Sequence, residues 1–142
     1  MTREKAGSKE RTSMSRAVKL PGPDHQITVA PSADRVVVRS GETTIADSRS
    51  TLVLRETNYA PVRYIPLADV DRSLLTPSDL TTYCPYKGDA SYYSIITDQE
   101  RGTDAVWFYE RPYPAVAEIK DHVAFYPDRV ELTVSVPDAL ED

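Results

Sequence analysis

From Gln26 onward the chain reads as short runs of β-branched and aromatic residues separated by turn formers, the pattern of strands rather than helices. Residues 35–39 (RVVVR) and 43–46 (TTIA) flank Ser40-Gly41-Glu42. Glycine accepts positive φ without steric cost, so these segments predict a hairpin. The clearest alternation, residues 130–136, sets Val130, Leu132, Val134 and Val136 on one face and Glu131, Thr133 and Ser135 on the other, a half-buried strand. Pro127-Asp128 predicts a turn that pairs it with residues 122–126. Residues 91–97 and 105–109 bracket the polar loop 98–104 and predict a longer-looped hairpin. Leu52 and Leu54 share one face of a strand ending near Glu56, and residues 62–65 predict another, stopped by Pro66.

Helix is confined to two short segments: residues 67–75, where Leu67, Val70 and Leu74 fall at helical spacing, and residues 115–120. Eleven prolines leave little room for anything longer. The pattern therefore predicts a β-dominated α+β architecture: two twisted antiparallel sheets or a partly open barrel, with one or two short helices.

Composition divides the chain. Residues 1–20 hold six Lys/Arg against two Glu, so the formal net charge of −5 leaves the remainder strongly acidic. Residues 1–24 are polar, end in Pro21-Gly22-Pro23-Asp24 and read as a mobile basic tail; residues 25–142 read as a single β-rich domain. The acidic body argues against a nucleic-acid surface. No stretch approaches the ~20 apolar residues of a membrane span, and the N-terminus lacks an apolar signal core. A single cysteine excludes an internal disulfide, which points to a cytoplasmic setting. One Cys and two distant His have no metal-ligand spacing, and neither a phosphate-binding loop nor a dinucleotide fingerprint occurs, so neither metal nor cofactor is expected. The expected partner is a small molecule rather than nucleic acid or membrane, and nothing in the chain sets an oligomeric state.

Chemistry concentrates in Cys84-Pro85-Tyr86-Lys87-Gly88. Pro85 and Gly88 predict a tight turn between strands, and Lys87, three residues after Cys84, can approach it there. An ammonium beside a cysteine favours thiolate over thiol, and partial burial makes an amine nucleophilic. The plainer alternative is a small buried thiol and a surface charge. Glu56, if it faces inward, needs a partner such as Lys87 or Arg63, because an unpaired buried carboxylate is costly. With Lys87 it would form an acid/base couple. Of nine tyrosines, Tyr83, Tyr86, Tyr92 and Tyr93 cluster around this segment, with Tyr109 beside Trp107 on a neighbouring strand. Such rings line ligand pockets or fill a small β core.

The same residues carry a family resemblance. Cys84-Pro85-Tyr86-Lys87-Gly88, then Tyr92-Tyr93, then Trp107-Phe108-Tyr109-Glu110-Arg111-Pro112 resemble the family catalogued as domain of unknown function 427. Ile45-Ala46-Asp47-Ser48, Leu54-Arg55-Glu56, Tyr64-Ile65-Pro66 and Val123-Ala124-Phe125-Tyr126 fit the pattern in the same order, over about residues 26–136. The resemblance implies a compact fold similar to the β-tent group, in which strands of two sheets frame a pocket. The family sometimes carries a nucleotidyltransferase-like label, but this chain has no Gly-Ser loop followed by paired metal-binding aspartates, and that activity is not carried over. Some other β-tent families use cysteine chemistry beside structural zinc; this chain has no set of zinc cysteines.

These readings converge on a small-molecule enzyme of lyase, isomerase or transferase type. Lys87 and Cys84 are its nucleophile or acid/base groups, Glu56 orients or exchanges protons, and Tyr64, Tyr86, Tyr92, Trp107, Tyr109 and Arg63 bind the ligand. The alternative is a non-catalytic module that holds a small ligand in an aromatic-lined pocket. A third reading makes the basic tail a contact for an acidic partner.

Overall fold

The computed structural model describes residues 16–97 and 102–137. Residues 1–15 of the expected tail, 98–101 of the expected loop and 138–142 lie outside the described residues. Among the described residues ten strands form two antiparallel sheets: β1 (Ile27–Pro31), β2 (Arg35–Ser40), β3 (Thr43–Ser48), β4 (Leu52–Glu56), β5 (Val62–Pro66), β6 (Leu75–Cys84), β7 (Gly88–Ile95), β8 (Val106–Phe108), β9 (His122–Phe125) and β10 (Glu131–Ser135). The larger sheet has the order β1-β4-β5-β9-β8-β7-β6 and the smaller β10-β2-β3. β1 and β6 remain as edges of the larger sheet, so it does not close, and of the two expected architectures the pair of sheets is the one found.

Local signals place the hairpins. β2 and β3 pair through a tight turn with Gly41 at φ 61°, and β7 pairs with β8 from Ser91↔Phe108 to Tyr93↔Val106. β10, expected to pair with β9, pairs with β2 instead, from Glu131↔Arg39 to Ser135↔Arg35. Both edges of β9 are already occupied, by β5 and β8, and the chain must cross to the second sheet. The predicted apolar face of β10 is also only partly covered: Val130 is buried, while Val134 and Val136 are exposed. Nothing in the hydrophobic pattern announces β6, because most of its residues face water and it carries Pro77, which an edge strand tolerates.

The two expected helices are 3₁₀ turns. Leu67–Asp69 and Arg72–Leu74 are separated by the extended Val70, and Pro114–Ile119 is interrupted at Val116. Pro66 and Pro114 fix the entry to each segment, and the extended Val70 makes a bridge to Ala46 rather than continuing a helix.

Two-residue periodicity lets the larger sheet serve two cores. Ile65, Val123, Phe125 and Val106 face the smaller sheet and pack with Val36, Val38 and Ile45. Tyr64, Ala124, Leu54 and Tyr92 point the other way and pack with Val116 and Ile119 of the 3₁₀ segment. Trp107 and Cys84 lie against this second core, which is the face that carries the site.

Candidate active site

Cys84 closes β6 and Gly88 opens β7, with Cys84↔Gly88 as the last pair of the ladder. Three residues turn the chain, secured by Lys87 N–H donating to the Cys84 carbonyl at 3.2 Å. Gly88 sits at φ 108°, where a side chain is strained, and the Tyr113 N–H donates to the Lys87 carbonyl at 2.9 Å. The turn is thus fixed at both ends, and Pro85 removes a further degree of freedom.

This rigidity aims Lys87 inward. The residue is 8% exposed, and its Nζ donates to Glu56 Oε1 at 2.7 Å and lies 3.7 Å from Cys84 Sγ. Glu56 arrives from the end of β4, and its second oxygen, Oε2, lies 2.7 Å from His25 Nε2. His25 belongs to a segment with no strand pattern. It is held by paired backbone bonds with Gly22 around Pro23-Asp24 and by stacking of its ring on Tyr86, with centroids 4.1 Å apart and planes 2° from parallel. Four side chains from three separated segments therefore form one chain: Cys84, Lys87, Glu56, His25. Burial pushes the Glu56 carboxyl up, but the hydrogen bonds with Lys87 and His25 outweigh it and hold the group below its ordinary value.

The thiol, amine and carboxylate open on a pocket of about 350 Å³ whose other walls include Leu54, Val62, Tyr64, Trp107 and Tyr109. Tyr64 is 1% exposed and accepts a hydrogen bond from Trp107 Nε1 at 3.3 Å. Burial raises both the Tyr64 and the Tyr109 hydroxyls well above the ordinary tyrosine value, so both stay protonated donors.

Of the residues singled out in the sequence, the pocket brings together Cys84, Lys87, Glu56, Tyr64, Trp107 and Tyr109. The other three lie elsewhere. Tyr86 stacks on His25 behind the turn. Tyr92 is buried in the second core with its hydroxyl 3.0 Å from Thr82 Oγ1. Arg63 alternates to the opposite face from Tyr64 and bonds Asp34 at 3.1 Å and Ser32 at 3.3 Å. The proposed alternative partnership of Glu56 with Arg63 therefore does not form. Tyr59, which lines the pocket, and His25, which reaches the site through Glu56, carry no regular signal; only the proximity of His25 to a Pro-Gly-Pro turn marks it.

Residues 16–24, assigned in the sequence to the tail, run across the outside of the turn. The Lys19 N–H donates to the Pro85 carbonyl at 3.0 Å, Tyr83 Oη donates to the Ala17 carbonyl at 2.8 Å, and Arg16 pairs with Asp89 while lying over the Tyr83 ring. Among the described residues no group of three or more His, Cys, Asp or Glu could hold a metal ion, and no helix is long and apolar enough to cross a membrane.

Fold and site define a two-sheet β domain with an amine, a thiol and a carboxylate at an apolar, aromatic-walled pocket. The chain belongs to the family described as Domain of unknown function (DUF427), whose model matches residues 28–136, more than half of the chain. No match was found among curated proteins.

Proposed function

We propose that the protein is an enzyme acting on a small carbonyl compound, with Cys84 as nucleophile, Lys87 as proton carrier and Glu56, steadied by His25, as the group that orients Lys87. The observation that carries this reading is the position of Lys87 Nζ, between the Glu56 carboxylate at 2.7 Å and the Cys84 sulfur at 3.7 Å, on the wall of an apolar pocket. As the Cys84 sulfur bonds to the carbonyl carbon, the C=O π pair moves onto oxygen. Lys87 gives that oxygen a proton and takes the one the thiol loses, so the thiol adds across C=O without a change in net charge. Such an adduct is a starting point for lyase, isomerase or group-transfer chemistry. A cytoplasmic setting, read from the single cysteine, belongs to the same proposal.

The test is turnover against a panel of small carbonyl compounds, with intact-mass analysis for an adduct on Cys84. Cys84→Ala and Lys87→Ala are expected to abolish turnover and adduct while the circular dichroism spectrum is unchanged. Equal rates in the native protein and both variants overturn the reading. The aromatic walls favour a second one, a binding module in which Tyr64, Trp107 and Tyr109 hold a flat ligand and Lys87 an acceptor group. Saturable quenching of Trp107 fluorescence by a ligand recovered unaltered is its signature.

A further inference from the structure

The larger sheet comes apart beside the pocket. β5 and β9 pair only at Ile65↔Val123 and Pro66↔His122. Continuing that ladder would set Tyr64, Arg63 and Val62 against Ala124, Phe125 and Tyr126, and these pairs do not form. Over the same stretch β5 stays with β4, from Leu52↔Tyr64 to Leu54↔Val62, and β9 stays with β8, at Trp107↔Ala124. The two halves of the sheet therefore splay from Ile65 outward.

On one side of the parting lies the pocket described above. On the other, a second groove of about 390 Å³ runs between β9 and β10, strands of opposite sheets, and is lined by Arg63, Phe125, Pro127, Leu132 and Val134. Ala60, Val62 and Trp107 line both spaces. Trp107 stands at the junction, bonded to Tyr64 on one flank and 4.4 Å from the Tyr126 ring on the other. The second groove is apolar apart from Arg63, whose charge is already met by Asp34. It therefore holds no counter-charge for an anion and suits a hydrocarbon. Val134, at 43% exposed, is the uncovered apolar residue that such an occupant would shield.

We propose that a single ligand fills both spaces: a polar head at Cys84 and Lys87, and an extended apolar tail that passes Trp107 through the parted strands into the groove at Leu132 and Val134. Either volume alone is near the lower limit for a small-molecule site, and the two together accommodate a chain-bearing molecule. The role of the head rests on the function proposed above; the tail site stands on the groove.

Unreactive n-alkanols, from butanol to decanol, separate the two, with binding followed through the fluorescence of Trp107, the only tryptophan. Each added methylene is expected to tighten binding about fourfold until the groove is full, after which affinity levels off. Val134→Phe, on an edge strand with room to accept it, is expected to move that plateau to shorter chains. Val136→Phe, on the same face but outside the groove, leaves it in place. Absence of any gain beyond butanol in the native protein overturns the proposal without recourse to a variant, and so does an unmoved plateau in Val134→Phe. A chain-length dependence that persists in Cys84→Ala and Lys87→Ala supports the tail site even where no carbonyl compound is turned over.

Discussion

Lys87 and Glu56 meet at 2.7 Å with their side chains only 10% and 11% exposed. An ion pair this far from water loses most of its hydration, and what keeps it charged is the completeness of its hydrogen bonding. Glu56 has both oxygens engaged, one by Lys87 and one by His25.

Removing one partner takes from the other its 2.7 Å counter-charge in a site largely closed to water. Lys87→Met is expected to cost about 3 kcal/mol, near the lower end for a broken buried pair. Glu56→Leu costs at least as much, since it strands Lys87 and His25 together. The double variant loses less than the sum of the two, and urea denaturation of all four proteins measures the coupling. Additive losses would mean that the pair contributes nothing as a pair.

Stability falls with acid in a defined window. The folded Glu56 carboxyl titrates below its ordinary value of about 4.5, so its contribution is fully present above that pH. It is lost as the pH drops through the folded value. The urea midpoint of the native protein should therefore decline below about pH 4.5 more steeply than that of Glu56→Gln. Parallel profiles would contradict the assignment.

At the alkaline end the sign reverses. Burial raises Tyr64 and Tyr109 above the ordinary value of 10, so their contribution is complete below it and disappears as the pH climbs beyond it. Tyrosinate absorbance is expected to grow in two stages, the exposed rings first and the pocket rings only with unfolding. Tyr109→Phe should shift alkaline unfolding to higher pH.

The turn itself is testable at Gly88. A side chain there would sit at φ 108° with its Cβ 3.4 Å from the Arg111 carbonyl, so Gly88→Ala is expected to cost about 1–2 kcal/mol. Because Gly88 ends the turn that aims Lys87, the variant should also slow modification of Cys84 by small carbonyl compounds. A stable variant with native reactivity would show that the turn does not depend on this conformation.

Much of the geometry of the candidate site was legible because its parts are local. Lys87 ends the three-residue turn that follows Cys84, and the β7–β8 hairpin delivers Trp107 by a pairing between neighbouring runs. Arg63 is expected beside Tyr64 in the Cys84 pocket, but strand alternation turns it to the opposite face, where it lines the second groove. Tyr92 was expected in the pocket, yet its ring is needed in the second core. The β9–β10 pairing failed because a Pro-Asp turn specifies a reversal of the chain but not which strand is waiting. His25 has no signal beyond a neighbouring Pro-Gly-Pro turn, because its position depends on a stacked ring and a carboxylate more than thirty residues away. The parting of β5 from β9 was likewise invisible, since every residue along it has an ordinary strand composition.

The four-residue chain crosses the break between β4 and β5. His25 and Glu56 lie before the loop at residues 57–61, and Cys84 and Lys87 lie after it. A polypeptide divided in that loop would hold half of the Lys87–Glu56 ion pair on each fragment, so, on the proposed function, reassembly of the two pieces is followed by the return of Cys84 reactivity, a complementation reporter built into the native sequence.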